Sequence, residues 1–227
     1  MKLKIIIVGN GKLANAILSS NLSFPNSEIL KWDSINKTLN EKSIIVHAGS
    51  GRQLEECIKY CEVTDSVLIE LSTGLETEKI EPNFTLIICP NTSILILKII
   101  TMMKNYGDKF EDYEISITES HQSTKKSAPG TAYSFANILK YPIDKIKSIR
   151  DPEIQFNEIG IPNEYLDKHA FHKIIIKDGN DEVKIETKVL GHNTYSKGLN
   201  KIIDVVMNHN LERKRYSVVD LIEKNLL

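Results

Sequence analysis

Apolar residues in the first third of the chain fall in short unbroken runs separated by stretches of helical periodicity. Residues 4–8 are a largely β-branched run that stops at Gly9-Asn10-Gly11. A run of that length closed by glycines reads as a strand buried on both faces. Ala14, Ile17 and Leu18 then recur at helical spacing. Further strands are expected over 28–33, 43–48, 66–71 and 85–89, with a helix over 53–62 whose positions 54, 57, 58 and 61 are apolar or cysteine. Strand and helix alternating in this way predict an α/β unit built on a parallel sheet.

After residue 92 the pattern changes. A helix is expected over 93–105, a strand over 113–118, a polar loop over 119–129 and a helix over 131–140. Residues 141–165 carry Pro142, Pro152 and Pro162 and read as irregular. The runs 171–176 and 183–189 flank Lys177-Asp178-Gly179-Asn180, a hairpin pattern. A helix over 195–208 and a short one from Val218 close the chain. A mixed α+β domain over 93–198 is therefore expected as an insertion in a first domain made of 1–92 and 199–227. The apolar stripe 94–103 reads as core or as the junction between the two.

Composition narrows the function classes. The 227 residues hold 29 Lys plus Arg against 30 Asp plus Glu, for a net charge of −1. That balance argues against a nucleic-acid partner, which calls for a clustered excess of basic residues. The run Arg213-Lys214-Arg215 reads as a solvated helix flank. With 41% apolar residues the chain is globular rather than disordered. The N-terminus lacks the roughly 7–15 apolar residues of a secretory signal. The longest apolar stretch, 94–103, is broken by Lys98 and falls short of the about 20 residues that span a bilayer. Three sparse cysteines, Cys57, Cys61 and Cys89, are no disulfide framework. A cytoplasmic protein acting on a small molecule is expected, and no metal site. Cys57 and Cys61 lack partners at zinc spacing. His169 and His172, three apart in a strand, point to opposite faces.

Two segments carry candidate chemistry. Gly9-Asn10-Gly11-Lys12-Leu13-Ala14 fits G-x-G-x-x-G/A between an expected strand and an expected helix. The first glycine permits a tight turn, the second lets backbone approach a pyrophosphate, and Ala14 lets the helix pack on the strand. This is the fingerprint of a Rossmann-like dinucleotide domain. Asp33, about 20 residues on, can accept from a ribose 2′-OH, which favours NADH over NADPH; Lys31 and Lys37 lie close enough in sequence to oppose that preference. The alternative is a glycine turn that binds nothing. His47, at the end of its strand, reads either as a cofactor contact or as a satisfied histidine near the sheet edge.

The second segment runs from Glu119 to Ala132. His121 and Lys125 sit four apart in a polar loop that leads through Pro129 and Gly130 into a helix. N–H groups around Gly130 and Thr131 suit an anion such as a carboxylate, while His121 can exchange a proton near neutral pH. The plainer reading is a helix start capped by Ser127 or Thr131.

This stretch resembles the signature of the dihydrodipicolinate reductase family, E-x-H-H-x-x-K-x-D-A-P-S-G-T-A. Other segments are similar in the same order. Ser72-Thr73-Gly74 resembles the family's G-T-T-G cofactor loop, and Ala48 to Gly51 its strand-end turn beside the nicotinamide. Cys89-Pro90-Asn91-Thr92-Ser93 resembles A-P-N-x-S, Asp167 with His172 a spaced D…H pair, Thr194 to Gly198 the T-F-x-x-G helix start, and 216–221 the C-terminal segment. The resemblance implies a Rossmann domain with an inserted mixed α+β domain for substrate and oligomerisation, and a homotetramer. It implies reduction of a cyclic imine-type substrate, 4-hydroxy-tetrahydrodipicolinate, with NADH or NADPH in lysine and diaminopimelate biosynthesis.

Position by position, His121 takes the place of the proton donor and Lys125 that of the assisting lysine. Gly130 and Thr131 stand where the family grips a substrate carboxylate, and Gln122 where it has a second, substrate-binding histidine. The cofactor contacts implied are Gly9, Asn10, Gly11, Lys12, Leu13, Asp33, Ala48, Gly49, Ser72, Thr73, Gly74, Pro90, Asn91 and Thr92. The chain departs from the signature at Gln122, at Ser127 in place of the aspartate, and in lacking the serine before Gly130; His192 falls where the family often has arginine. It is also shorter than the family usually runs. These departures leave open a related NAD(P)-dependent imine reductase with another substrate, and a non-catalytic NAD(H)-sensing protein.

Overall fold

The computed structural model describes residues 2–20, 22–35, 41–125, 128–191 and 193–227; Lys37, Ser127 and His192 lie outside the described residues. The chain divides into two units, one of residues 1–97 and 195–227, the other of 98–194. The first contains β1 (Leu3–Val8), α1 (Lys12–Leu18), β2 (Ser27–Lys31), β3 (Ser43–His47), α2 (Leu54–Thr64), β4 (Val67–Glu70) and β5 (Leu86–Ile88). Helix α3 (Ile94–Tyr106) runs across the boundary. The second unit holds β6 (Glu114–His121), α4 (Gly130–Ile138), β7 (Lys147–Ile149), α5 (Pro152–Asn157), β8 (His169–Asp178) and β9 (Asp181–Leu190). Helix α6 (Asn193–Asn208), β10 (Arg215–Ser217) and α7 (Val218–Glu223) follow.

The apolar runs become an all-parallel six-stranded sheet in the order β10-β5-β4-β3-β1-β2. Every residue of β3 is buried, as expected of a strand with neighbours on both edges that is covered on both faces. On one face Ile6, Val8, Ile45, Leu68 and Leu86 pack with Leu54, Cys57, Tyr60 and Cys61 of α2 and with Trp32. Fully burying an Ile or Leu contributes roughly 1.5–3 kcal/mol, so this face holds the sheet to α2. The expected helical face at 54, 57 and 61 is the buried one, and Tyr60 extends it, edge-on to Trp32 at 5.7 Å.

In the second unit a mixed sheet has the order β7-β6-β8-β9, with β7 parallel and β8 antiparallel to β6. The hairpin of β8 and β9 turns at Asp178 to Asp181, with Gly179 at φ 57°. Ala132, Phe135 and Ala136 form the buried side of α4.

Four local expectations are corrected. Residues 119–121 continue strand β6 instead of starting a loop, because Glu119 and Ser120 are fully buried among polar partners. The stretch 141–165 contains β7 and α5; Asp151 caps α5 by accepting from the N–H groups of Glu153 and Ile154, and Pro152 occupies its first turn. Arg215 belongs to a strand, β10, rather than to a helix flank. Asp33 lies just past β2 in a 3₁₀ turn of Trp32–Ser34.

One glycine ties the return segment to the first unit. A Cβ added to Gly198 in α6 would lie 1.6 Å from the carbonyl oxygen of Thr92. Alanine is ordinarily better than glycine inside a helix by about 1 kcal/mol. Gly198→Ala is nevertheless expected to destabilise the protein, by about 3 kcal/mol, because backbone must move to admit the methyl group. A lower denaturant midpoint is the readout, and a raised one would contradict the close approach. Among the described residues no helix is long and apolar enough to cross a membrane.

Candidate functional site

In the first unit the ladder continues one residue past the strands. Ala48 N–H donates to Val8 O (2.8 Å), Leu71 N–H to His47 O (2.9 Å) and Cys89 N–H to Glu70 O (2.7 Å). The segments beginning at Gly9, Ala48, Ser72 and Pro90 thus leave the carboxyl ends of adjacent parallel strands, where open α/β sheets bind their ligands. Gly9 has φ 117°, and a Cβ there would sit 2.6 Å from Ala48 O, so only glycine permits this turn. Gly11, by contrast, has nothing within 4 Å of an added Cβ. Its backbone borders open space at the start of α1, and room of that kind fits a pyrophosphate approaching the Gly9 to Leu13 backbone.

Asp33 stands past the end of the neighbouring β2, where its Oδ1 accepts from Gln53 Nε2 (3.0 Å). Thr73 and Gly74 are exposed, while Ala48 and Gly49 are buried. Asn91 Oδ1 accepts from the Ser93 N–H at 2.8 Å; Thr92 is buried where α6 passes at Gly198. His47 is not near a sheet edge. It is fully buried in the interior strand β3 and faces Glu70.

The second unit builds its cluster on the end of β6. Glu119 and His121 are two apart and share a face. Glu119 Oε2 lies 2.6 Å from His121 Nδ1, while its Oε1 accepts from Arg150 Nη2 at 2.6 Å. Burial alone would raise the Glu119 carboxyl, but hydrogen bonds from His121, Arg150 and Ser148 hold it down to about 2. A carboxylate at Nδ1 requires the proton on that nitrogen, so Nε2 is the nitrogen left for proton exchange with a ligand. The His121 side chain retains 14% exposure, against none for Glu119. Gln155 of α5 is fully buried and donates to His121 O (2.7 Å) and to Ile149 O (3.2 Å), fixing the ends of β6 and β7 together.

Around this dyad, His172 of β8 lies edge-on to His121 at 5.6 Å and to Phe135 at 5.8 Å, with Nδ1 2.9 Å from Thr187 Oγ1. Burial, aided by the neighbouring His121, pushes His172 down to about 4, so it is a neutral ring near pH 7. On the opposite face His169 Nε2 is 3.0 Å from Ser120 Oγ, and Nδ1 donates to the carbonyls of Tyr165 and Leu166. Asp167, paired with His172 in the sequence reading, is highly exposed instead.

Gln122 and Lys125 bracket the turn after His121, with Lys125 N–H donating to Gln122 O at 3.0 Å. Burial pulls the half-buried Lys125 ammonium below its usual range; Glu119 opposes this and Arg150 adds to it. Gly130 opens α4, but its N–H donates to Ala128 O at 3.0 Å across the turn at Pro129. The anion-binding capacity expected of this helix start therefore excludes that donor. Open space above Gly130 remains. Ser127 as a cap lies outside the described residues, and Pro129 is the N-cap.

Sequence reasoning did not find Arg150, Gln155 or the His47–Glu70 pair. Glu119 was findable, since a carboxylate two before a histidine in a strand must share its face. Among the described residues no three or more His, Cys, Asp or Glu are placed to hold a metal ion.

The family model described as "Dihydrodipicolinate reductase, C-terminus" matches residues 94–222. A chloroplastic 4-hydroxy-tetrahydrodipicolinate reductase 2 of Arabidopsis thaliana is 28% identical over 136 residues, covering 54% of this chain and 38% of the relative. The chain thus spans about two fifths of the length of the plant relatives it matches. A 4-hydroxy-tetrahydrodipicolinate reductase of Rickettsia bellii (strain OSU 85-389) is 24% identical over 234 residues, covering 96% of this chain and 92% of the relative. Among solved structures, the dipicolinate-bound dihydrodipicolinate reductase from Paenisporosarcina sp. TG-14 superposes with a TM-score of 0.64 at 16% identity. It covers 96% of this chain and 98% of that one, a likeness of fold.

Proposed function

The chain belongs to the dihydrodipicolinate reductase family, and from that premise we propose that it reduces 4-hydroxy-tetrahydrodipicolinate to tetrahydrodipicolinate with NADH or NADPH. The observation that carries this reading is the Glu119–His121 dyad at the end of β6, beside the turn that presents Lys125. Residues 98–194 supply the substrate side. Gly9, Asn10, Gly11, Lys12 and Leu13, with Asp33, Ala48, Gly49, the 72–74 loop and 90–92, would hold the dinucleotide on the carboxyl ends of the parallel strands. When bound, the reduced nicotinamide supplies a hydride.

The chain's own residues do the rest. Lys125 anchors a substrate carboxylate, and the exposed start of α4 at Gly130 and Thr131 gives that group room. His121 delivers a proton from Nε2 as electron density builds on the substrate. Its Nδ1–H stays on Glu119, and Arg150 keeps that carboxylate in place. The neutral His172 ring adds no like charge to the imidazolium that His121 is before it gives up the Nε2 proton. Charged help concentrated on one face of β6 is what an acceptor bearing carboxylates requires.

Gln122 favours a second reading, a related imine reductase with a different substrate, because an amide adds no positive charge where a histidine could. Oxidation of NADH or NADPH by the purified protein, driven by freshly generated 4-hydroxy-tetrahydrodipicolinate, is the test. Turnover with that substrate supports the first reading, and turnover only with other cyclic imines the second. Tight cofactor binding with no imine turned over points to an NAD(H)-sensing protein.

A further inference from the structure

His47 and Glu70 take no part in the proton transfer described above, yet they form a fully buried ionisable pair in the core of the first unit. His47 ends β3 and Glu70 ends β4, side by side in the parallel register. Nδ1 of His47 lies 2.9 Å from Glu70 Oε1 and 2.7 Å from Oε2, while Nε2 lies 3.0 Å from the carbonyl oxygen of Arg52. Both ring nitrogens therefore face acceptors, an arrangement satisfied when both carry protons. Glu70 Oε1 accepts in addition from the Ser72 N–H at 2.7 Å, and Ser72 Oγ from the Ser50 N–H at 3.1 Å. The turn closes directly on the ring, since a Cβ at Gly49 would lie 2.8 Å from His47 Nε2 and 2.8 Å from Arg52 O.

One ion pair is thus bonded on its histidine side to the 48–53 turn and on its carboxylate side to the loop at Ser72. These are two of the segments that would hold the cofactor. We propose that His47 and Glu70 are positioning residues for the nicotinamide end of the dinucleotide, an imidazolium–carboxylate fastening that sets the spacing of the 48–53 turn and the 72–74 loop. The proposal rests on the cofactor reading above. A buried pair of this kind adds little net stability over an apolar pair of the same shape, but leaving one partner alone is costly; its value here lies in the geometry it imposes. Burial works against the charged ring, but the hydrogen bond and charge of Glu70 and the Arg52 carbonyl outweigh it and raise the His47 pKa, against a smaller opposing effect of the Arg52 charge. The proton then leaves only on the alkaline side of the ordinary histidine range, and with it the fastening.

The experiment is equilibrium binding of NADH and of ADP from pH 7 to 9, on the full chain and on Glu70→Gln, alongside thermal melts. The full chain should lose NADH affinity as the pH rises while ADP affinity stays level. Glu70→Gln should bind NADH about tenfold more weakly at pH 7, with that pH dependence flattened and ADP binding retained. Unchanged NADH affinity with an unchanged pH profile overturns the proposal. So does parallel loss of NADH and ADP binding with a lowered melting temperature, which assigns the pair to the sheet alone. Failure of the full chain to bind either nucleotide overturns the cofactor reading, and this proposal with it. If Glu70→Gln does not fold, imidazole nitrogen NMR of the full chain decides: a doubly protonated His47 ring at pH 7 is expected, and a neutral ring refutes the fastening.

Discussion

Replacing His121 by alanine is expected to lower turnover by about 10²- to 10⁴-fold while leaving NADH and NADPH affinity unchanged. The asymmetry follows from where the residue sits. His121 belongs to the 98–194 unit, whereas the strand ends that would hold the dinucleotide belong to the other. Glu119→Gln should also be slow, by about 10²-fold, because an amide no longer enforces a proton on Nδ1 and Arg150 loses its carboxylate. The two changes should not add when combined, since both disable one device. Steady-state kinetics with separate titrations of cofactor read all three. A His121→Ala enzyme with native turnover would remove histidine from the mechanism.

Acidification is expected to cost stability in a window set by His172. Its folded pKa, about 4, lies below the ordinary 6.5. The unfolded chain therefore takes up a proton before the folded one does. The stabilisation is complete above about pH 6.5 and is lost progressively as the pH falls toward 4. Between pH 7 and 4.5 the loss amounts to about 2 kcal/mol. His169, also lowered by burial, acts with the same sign. His47, raised instead, is already protonated in both states below pH 6.5 and adds no slope there. Glu119, held at about 2 against an ordinary 4.5, adds its own loss only below about pH 4.5. Denaturant midpoints taken across pH 4.5 to 7 should thus fall steeply for the native chain. For His172→Gln, which keeps a polar partner for Thr187 and cannot titrate, the fall should be shallow. Equal slopes in the two proteins would mean that His172 is charged or exposed in the folded state.

The parallel sheet was legible because burial on both faces leaves a mark that local composition preserves: β1 and β3 are apolar almost throughout. The glycine loop was legible for a similar reason, since a turn with φ 117° against a neighbouring carbonyl admits little but glycine. Polar residues inside a strand misled. Glu119 and Ser120 read as loop although both are fully buried, because the partners that satisfy them, Arg150 and His169, come from segments 31 and 49 residues away. The three prolines of 141–165 concealed β7 and α5, yet Asp151-Pro152 is a helix-start signal in its own right. Strand β10 is too short for periodicity and carries a basic residue. The His47–Glu70 pair has no local signature, since it exists only once β3 and β4 are paired.

The placement of β10 bears on how the protein emerges from the ribosome. Thr85, just ahead of β5, hydrogen-bonds the carbonyl of Glu212, 127 residues further along, and β10 then lies along β5. Until residues 215–217 have been made, the β5 edge of the first sheet has no strand beside it. A bare edge of that kind is a template for pairing with other chains. Residues 98–194 and α6 must therefore all be made before β10 can seal the sheet. Slow translation beyond the insertion should lengthen the interval in which the nascent chain needs a chaperone.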